Sequence, residues 1–131
     1  LPDDSTPADR LEAAIRAHTT AVLRAGDLAA AQARLGGQVP DAVSGPYRAQ
    51  QRAYGAIWDD LLADAGSAGA ISADVDLLAA RLLIFGALNW TSEWFRPTRS
   101  RTAESVADTA VDMLLDGLLG TVANRRNLSP R

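Results

Sequence analysis

The segment from Gly86 to Pro97 reads GALNWTSEWFRP and brings Trp90 and Trp94 within about one helical turn of each other. Asn89 stands directly before the first of these tryptophans and directly after a long apolar run. A buried amide without a hydrogen-bond partner costs roughly 1–3 kcal/mol. Asn89 is therefore expected either to bond across a subunit interface or to point into a cavity that holds a polar group.

Apolar residues at helical spacing predict an all-α fold of five to six helices. Thr6 is placed to cap the first helix, with Pro7 at its first position and Asp9 completing a capping box. Gly26 is expected to end this helix and Asp27 to cap a short second one, because glycine often follows a helix and aspartate often begins one. No segment is predicted to form a strand.

The third helix is the longest of the predicted helices. It is expected to begin between Pro40 and Pro46, with Ser44 as its cap if Pro46 lies in the first turn, and to run to about Ala65. The segment 66–72, GSAGAIS, is predicted to be the turn that follows.

The last two helices are more apolar than one protomer can cover. The fourth is predicted from near Asp74 to Phe95 and is apolar almost all round at residues 77–88, as expected of a helix buried on more than one side. Thr102 is expected to cap the fifth. The excess of apolar surface on these two helices predicts a dimer.

The composition limits the possible functions. A length of 131 residues suits one domain, and a net charge of −3 argues against this domain binding a nucleic-acid backbone by itself. The absence of cysteine excludes disulfides and thiolate metal sites. No apolar run is long enough for a typical membrane span, so a cytoplasmic protein that does not associate with membranes is predicted.

No catalytic or metal-binding motif is found. The single histidine, His18, has no glutamate at the three-residue spacing of a di-metal helix bundle and no nucleophile at a motif spacing. There is no phosphate-binding loop and no dinucleotide fingerprint. We therefore predict a protein that is not an enzyme and that has no catalytic residue, metal or cofactor.

Several side chains are candidates for a ligand cavity, and each also has a structural interpretation. His18 lies on an apolar helix face, either as a core histidine or as a polar group in a cavity. Tyr54 and Trp58, four residues apart, are either core or pocket lining. The arginines after the fourth helix, including Arg96, are solvated, bind the phosphates of an anionic ligand, or pair with acidic residues of a partner subunit. The predicted ligand-binding residues are His18, Tyr54, Trp58, Phe85, Asn89 and Arg96.

The segment GALNWTSEWFRP resembles the penultimate helix in the ligand-binding domains of TetR-family transcriptional regulators. It is most similar to the branch that senses acyl-coenzyme A thioesters and regulates fatty-acid or sterol breakdown. Residues 10–23, 47–71 and 105–119 resemble other helices of the same domain, in the same order and at the same spacing. The helix-turn-helix domain that precedes this region in the family has no counterpart here. The resemblance therefore implies a single ligand-binding and dimerisation domain over residues 1–131, without its DNA-binding domain.

The resemblance implies a homodimer that pairs through the last two helices as a four-helix bundle, and a small apolar or acyl-coenzyme A effector that releases the intact repressor from operator DNA. Contact with DNA would be made only through the missing N-terminal domain. The alternative is a helical small-molecule carrier or protein-interaction domain with no DNA control. The predicted interface residues are Gly86, Trp90, Trp94, Ala110, Leu114, Gly117 and Leu118.

Overall fold

The computed structural model describes the backbone of residues 1–34 and 41–119, and the side chains of residues 1–25 and 48–119. Within these ranges the protein has four α-helices and no strand. The all-α prediction is confirmed, but the predicted number of helices is not. The helices are α1 (Pro7–Arg34), α2 (Asp41–Ser67), α3 (Leu77–Trp94) and α4 (Ala103–Leu118).

The first two predicted helices are one continuous helix. The prediction that Gly26 ends the first helix and Asp27 begins a second is wrong, since α1 runs through both to Arg34. A glycine inside a helix costs only about 1 kcal/mol relative to alanine. The sequence that follows Asp27, LAAAQAR, consists of strong helix formers that offset this cost.

The predicted capping box begins α1. The Thr6 hydroxyl accepts a hydrogen bond from the Asp9 amide at 3.1 Å, and the Asp9 carboxylate accepts one from the Thr6 amide at 3.0 Å. The backbone N–H of Thr6, and secondly the Thr6 hydroxyl, hold the pKa of the exposed Asp9 carboxyl below its usual value. The first turn is thereby fixed by reciprocal bonds, as the sequence predicts.

The long helix α2 begins before Ser44, the residue predicted to cap it if Pro46 lies in its first turn. Its first residue is Asp41, so Ser44 lies inside the helix and the prediction of a Ser44 cap is wrong. The helix ends in the predicted glycine-rich turn, where Gly69 adopts a φ of 77°, a conformation that strongly favours glycine. The amide of Ala70 turns back to the carbonyl of Ala65 at 2.9 Å and stops the helix.

Side-chain caps fix the starts of the last two helices. The Asp76 carboxylate accepts from the Ala79 amide at 3.1 Å at the start of α3. At the start of α4, Thr102 and Ser105 bond each other's backbone amides at 3.1 and 2.9 Å in a capping box. The Thr102 cap predicted from the sequence is confirmed.

The core lies at the centre of the four helices, where α1 packs against α2, α3 and α4. Thr19 is fully buried there and satisfies its hydroxyl by donating to the Ile15 carbonyl at 2.7 Å. The larger buried core residues are Leu11, Ile15, Trp58, Leu62, Ile71, Ile84, Leu88, Val111 and Leu115.

The helix α3 has a second apolar side that the protomer leaves uncovered. Its buried side carries Ala80, Ile84, Leu88 and Thr91. Several large apolar residues of α3 and α4 are exposed, among them Leu78 and Leu82 at 56% each, and we call the part that carries Leu83, Trp90, Trp94 and Met113 the outer face. Its exposed large members are Leu83, Trp90, Trp94 and Met113, with exposed fractions of 72%, 64%, 47% and 72%.

Candidate functional site

Five of the six side chains predicted to bind a ligand meet where α1, α2 and α3 converge. His18 comes from α1, Tyr54 and Trp58 come from α2, and Phe85 and Asn89 come from α3. The spacing of four residues within α2 and within α3 directs each pair to one side of its helix. We call these five residues the aromatic cluster.

A chain of hydrogen bonds centred on His18 joins the three helices. The imidazole Nε2 lies 2.9 Å from Asn89 Oδ1, and Nδ1 lies 2.8 Å from the Tyr54 hydroxyl oxygen. Because the amide oxygen can only accept, Nε2 carries a proton and donates. In the neutral ring, Nδ1 then accepts from the Tyr54 hydroxyl. Both ring nitrogens are satisfied, while the Asn89 amide nitrogen has no hydrogen bond to the described side chains or backbone.

The four rings of the cluster pack in a regular arrangement. Those of His18, Tyr54 and Phe85 are nearly parallel, with interplanar angles of 2–15° and centroid distances of 5.3–6.0 Å. The Trp58 ring stands at 78–86° to all three, with centroid distances of 5.2–6.4 Å. These distances and angles are those of favourable aromatic pairs.

The cluster extends from the core to the surface. Trp58 is 1% exposed, whereas Tyr54 is 40% exposed. Asn89 lies at the surface, so the expectation of a buried amide at this position is wrong. A flat ligand between two rings needs ring planes roughly 7 Å apart, twice the contact distance of about 3.5 Å. The observed packing is tighter than this, so a ligand entering the cluster has to separate the rings or lie against their exposed edges.

Arg96, the sixth predicted ligand-binding residue, is not brought to the cluster. It follows the C-cap residue Phe95, and its guanidinium donates to the Phe95 carbonyl at 2.7 Å. It makes no hydrogen bond or ion pair with the aromatic cluster among the described residues. The break at Pro97 turns the chain away at the end of α3.

Five of the seven predicted interface residues line the groove between α3 and α4, and Trp90 is exposed on the outer face. Ala110 and Leu114 line an open pocket of about 530 Å³ together with Trp94, and Gly117 and Leu118 line an adjoining pocket of about 420 Å³. An added Cβ at Gly86 or at Gly117 would meet nothing within 4 Å. Both glycines therefore face open space in the protomer.

Sequence reasoning missed a second polar site, beside the aromatic cluster. An open pocket of about 380 Å³ between α2 and α3, the arginine pocket, is lined by Arg48, Gln51, Arg52, Gly55, Ala56, Asp59 and Arg81. Helical spacing places Arg48 and Arg52 on the polar face of the long helix, together with Asp59 and Asp60. The available signal was Arg81, the charged residue within the apolar segment 77–88, which has to find a partner or reach solvent.

Ion pairs join α1 to α4 at the surface. The Arg16 guanidinium pairs with Asp108, and Arg24 lies 2.9 Å from a Glu104 carboxylate oxygen. The backbone N–H of Glu104 and the Arg24 guanidinium lower the pKa of the Glu104 carboxyl. The Asp108 side chain remains 64% exposed while it pairs with Arg16, so this ion pair lies on a solvated face of α4.

The described residues offer neither a metal site nor a membrane span. They contain no group of three or more His, Asp or Glu side chains arranged to hold a metal ion. None of their helices combines the length and the hydrophobicity that crossing a bilayer requires.

The comparison with protein families identifies the chain's relatives. Residues 4–118 match the family described as the tetracyclin repressor-like, C-terminal domain. The chain belongs to this family. TetR-type regulators are in general non-enzymatic transcription factors that dimerise and bind DNA and small-molecule effectors. No curated protein sequence matches the chain significantly.

Two solved structures share the fold of this TetR-type domain. A transcriptional regulator of the TetR/AcrR family from Thermobifida fusca is 28% identical, with a TM-score of 0.72 over 86% of this chain and 59% of its own. The ketosteroid transcriptional regulator KstR2 of Mycobacterium tuberculosis is 21% identical, with a TM-score of 0.69 over 89% of this chain and 60% of its own. The chain thus spans about three fifths of the length of both.

Proposed function

We propose that this TetR-type domain binds a small, largely apolar effector at the aromatic cluster, without catalysing a reaction. The main support for the proposal is that the aromatic cluster connects α1, α2 and α3 through contacts between side chains. Four rings, one of them the hydrogen-bonded His18, hold α1, α2 and α3 together. A ligand can replace such contacts without breaking the backbone bonds of any helix.

The chemistry of the cluster suits an apolar body with a carbonyl group. Small-molecule sites combine apolar and aromatic walls with a few polar groups that fix orientation. Trp58 and Phe85 supply the apolar walls. Asn89 uses its oxygen to accept from His18 and keeps an N–H pair that can donate to a carbonyl oxygen. An acyl chain ending in a thioester carbonyl, as in an acyl-coenzyme A, fits this description.

Binding at the cluster would move α1. The rings are packed too closely to admit a ligand between them, so an inserted effector pushes His18, and with it α1, away from α2 and α3. The ion pairs of Arg16 and Arg24 connect α1 to α4, so the displacement also acts on α4. In the intact cytoplasmic regulator, we propose that this shift reorients the DNA-binding domains and releases operator DNA.

We further propose that two copies pair through the outer face as a four-helix bundle. Leu83, Trp90 and Met113 expose more than half of their surface, and a stable dimer needs roughly 1,600 Å² of buried area. The glycines at positions 86 and 117 leave room for a partner helix to approach closely. Pairing would cover the apolar surface that a single protomer leaves in water.

Calorimetry with decanoyl-coenzyme A tests the effector site through Asn89. Asn89→Asp removes the N–H donor while keeping the acceptor for His18, and we expect at least tenfold weaker binding, about 1.4 kcal/mol. Ser92→Asp adds the same charge one turn along α3 and is expected to change the affinity by less than threefold. Equal affinities for Asn89→Asp and Ser92→Asp would refute the assignment of Asn89 to the effector site.

A further inference from the structure

The arginine pocket carries positive charge on a chain that is negative as a whole. Its three arginines and one aspartate leave a local formal charge of +2, three minus one, whereas the chain carries −3. Arg48 and Arg52 stand one turn apart on α2 and are exposed, and neither forms an ion pair within the described residues. Within the described residues, no acidic side chain therefore neutralises these two guanidiniums.

Arg81 joins this pocket to the aromatic cluster. Its Nε lies 2.7 Å from Asp59 Oδ1, but the direction is not that of a hydrogen bond, so the buried Nε–H remains unsatisfied. Its guanidinium carbon lies 5.9 Å from the centre of the Phe85 ring. One side chain thus contacts both the positive pocket and a wall of the proposed effector site.

Gly55 gives the Arg81 guanidinium room. A Cβ at this position would lie 3.0 Å from Arg81 Nη1, closer than most real contacts of this kind. A glycine inside a helix costs roughly 0.5–1 kcal/mol relative to alanine. Gly55 therefore lets the Arg81 guanidinium lie between α2 and α3, at the edge of the aromatic cluster.

We propose that the arginine pocket binds the oxyanion head of an amphipathic effector whose apolar part lies at the aromatic cluster. This inference rests on the proposed effector site and specifies the class of ligand, a carboxylate or phosphate attached to an apolar body. Guanidinium groups present several N–H donors in a plane that matches such oxyanions. Arg48 and Arg52 supply the free charge, and Arg81 bridges the head to the apolar wall.

Three probes with the same carbon chain separate the contribution of charge from that of the apolar part. Decanoate, decyl phosphate and decanol are titrated by calorimetry below their aggregation concentrations, at low and at high salt. We expect each anion to bind the parent protein at least tenfold more tightly than decanol, with a smaller ratio at high salt because ions screen the exposed arginines. The preference between carboxylate and phosphate identifies the head group.

Two charge-matched double variants locate the anion. Arg48→Gln with Arg52→Gln is expected to reduce the anion-to-decanol ratio to below threefold and to leave decanol affinity unchanged. Arg96→Gln with Arg99→Gln removes the same charge after α3 and is expected to keep the ratio. The anion site would be refuted if the variant at Arg48 and Arg52 kept the anion-to-decanol affinity ratio of the parent. It would also be refuted if the variant at Arg96 and Arg99 lost that ratio. Equal binding of decanol and the anions by the parent would also overturn it while leaving the effector site intact, whereas no binding of any probe would refute both.

Discussion

The hydrogen bond between Tyr54 and His18 gives the most quantitative prediction for the aromatic cluster. Tyr54→Phe removes the hydroxyl that lies 2.8 Å from Nδ1 and keeps the ring, so the ring contacts with His18, Trp58 and Phe85 remain. A typical intramolecular hydrogen bond contributes about 0.5–1.5 kcal/mol to stability. Tyr54 is 40% exposed, so water partly replaces the lost partner. We expect a loss of about 1 kcal/mol.

Urea unfolding followed by circular dichroism measures this loss. With an m-value of about 2 kcal/mol/M, the midpoint should fall by about 0.5 M at unchanged m. A loss of about 1 kcal/mol lowers the melting temperature more in a short domain than in a long one. For a chain of this length we expect a fall of about 3–5 °C. All variants are compared at one protein concentration, because the proposed dimerisation would couple stability to concentration.

Ser92→Ala is the matched control for this prediction. It also removes one side-chain hydroxyl, which donates to the Asn89 carbonyl at 2.9 Å on the exposed side of α3. We expect a change within about 0.5 kcal/mol, as for most surface substitutions. If Tyr54→Phe were as stable as Ser92→Ala, the Tyr54 hydroxyl would not hold α2 to α1, and the cluster would be only a set of stacked rings.

Two further predictions concern the outer face and the first turn of α1. Gly117→Trp should produce monomers in sedimentation experiments while Asp112→Trp, on the far side of α4, stays dimeric; the same association state for both would contradict pairing at Gly117. For Asp9, the lowered pKa means that its stabilising contribution is present above the usual carboxyl pKa and lost as pH falls through the lower folded value. The stability difference between the parent and Asp9→Asn should therefore shrink between about pH 5 and pH 2 in thermal melts, and a constant difference would argue against it.

The helices could largely be predicted from periodicity and capping signals. Thr6 and Thr102 both begin helices as predicted, because a capping box needs only residues three positions apart. The error at Gly26 has a physical origin, since a glycine either ends a helix or lies within one. Here the alanine-rich sequence after Gly26 favours a continuous helix. The rule that a glycine ends a helix does not take the helix propensity of the following residues into account.

Five of the six residues predicted to bind a ligand meet in the aromatic cluster, but the sequence did not predict the hydrogen bonds among them. Spacing of four residues identifies Tyr54 with Trp58, and Phe85 with Asn89, as pairs on one helix side. That His18 reaches both Tyr54 and Asn89 depends on the packing of three helices, which no local pattern encodes. The arginine pocket was missed for the same reason, because its two walls come from α2 and α3 and their pairing is a tertiary contact.

The position of the effector site can be tested by comparing the fluorescence of Trp58 with that of Trp90 and Trp94 during ligand binding. Trp58 lies in the aromatic cluster, whereas Trp90 and Trp94 lie on the outer face. Trp90→Phe with Trp94→Phe leaves Trp58 as the single fluorophore, and Trp58→Phe leaves only the outer pair. Both are titrated with decanoyl-coenzyme A, and calorimetry on the same samples gives the affinity.

The emission of Trp58 during this titration is the most direct test of the proposed effector site. We predict a saturable change with the dissociation constant that calorimetry gives, and little change in the variant that keeps only Trp90 and Trp94. Calorimetric binding that leaves the Trp58 emission unaltered, or that changes only the outer tryptophans, would contradict an effector site at the aromatic cluster.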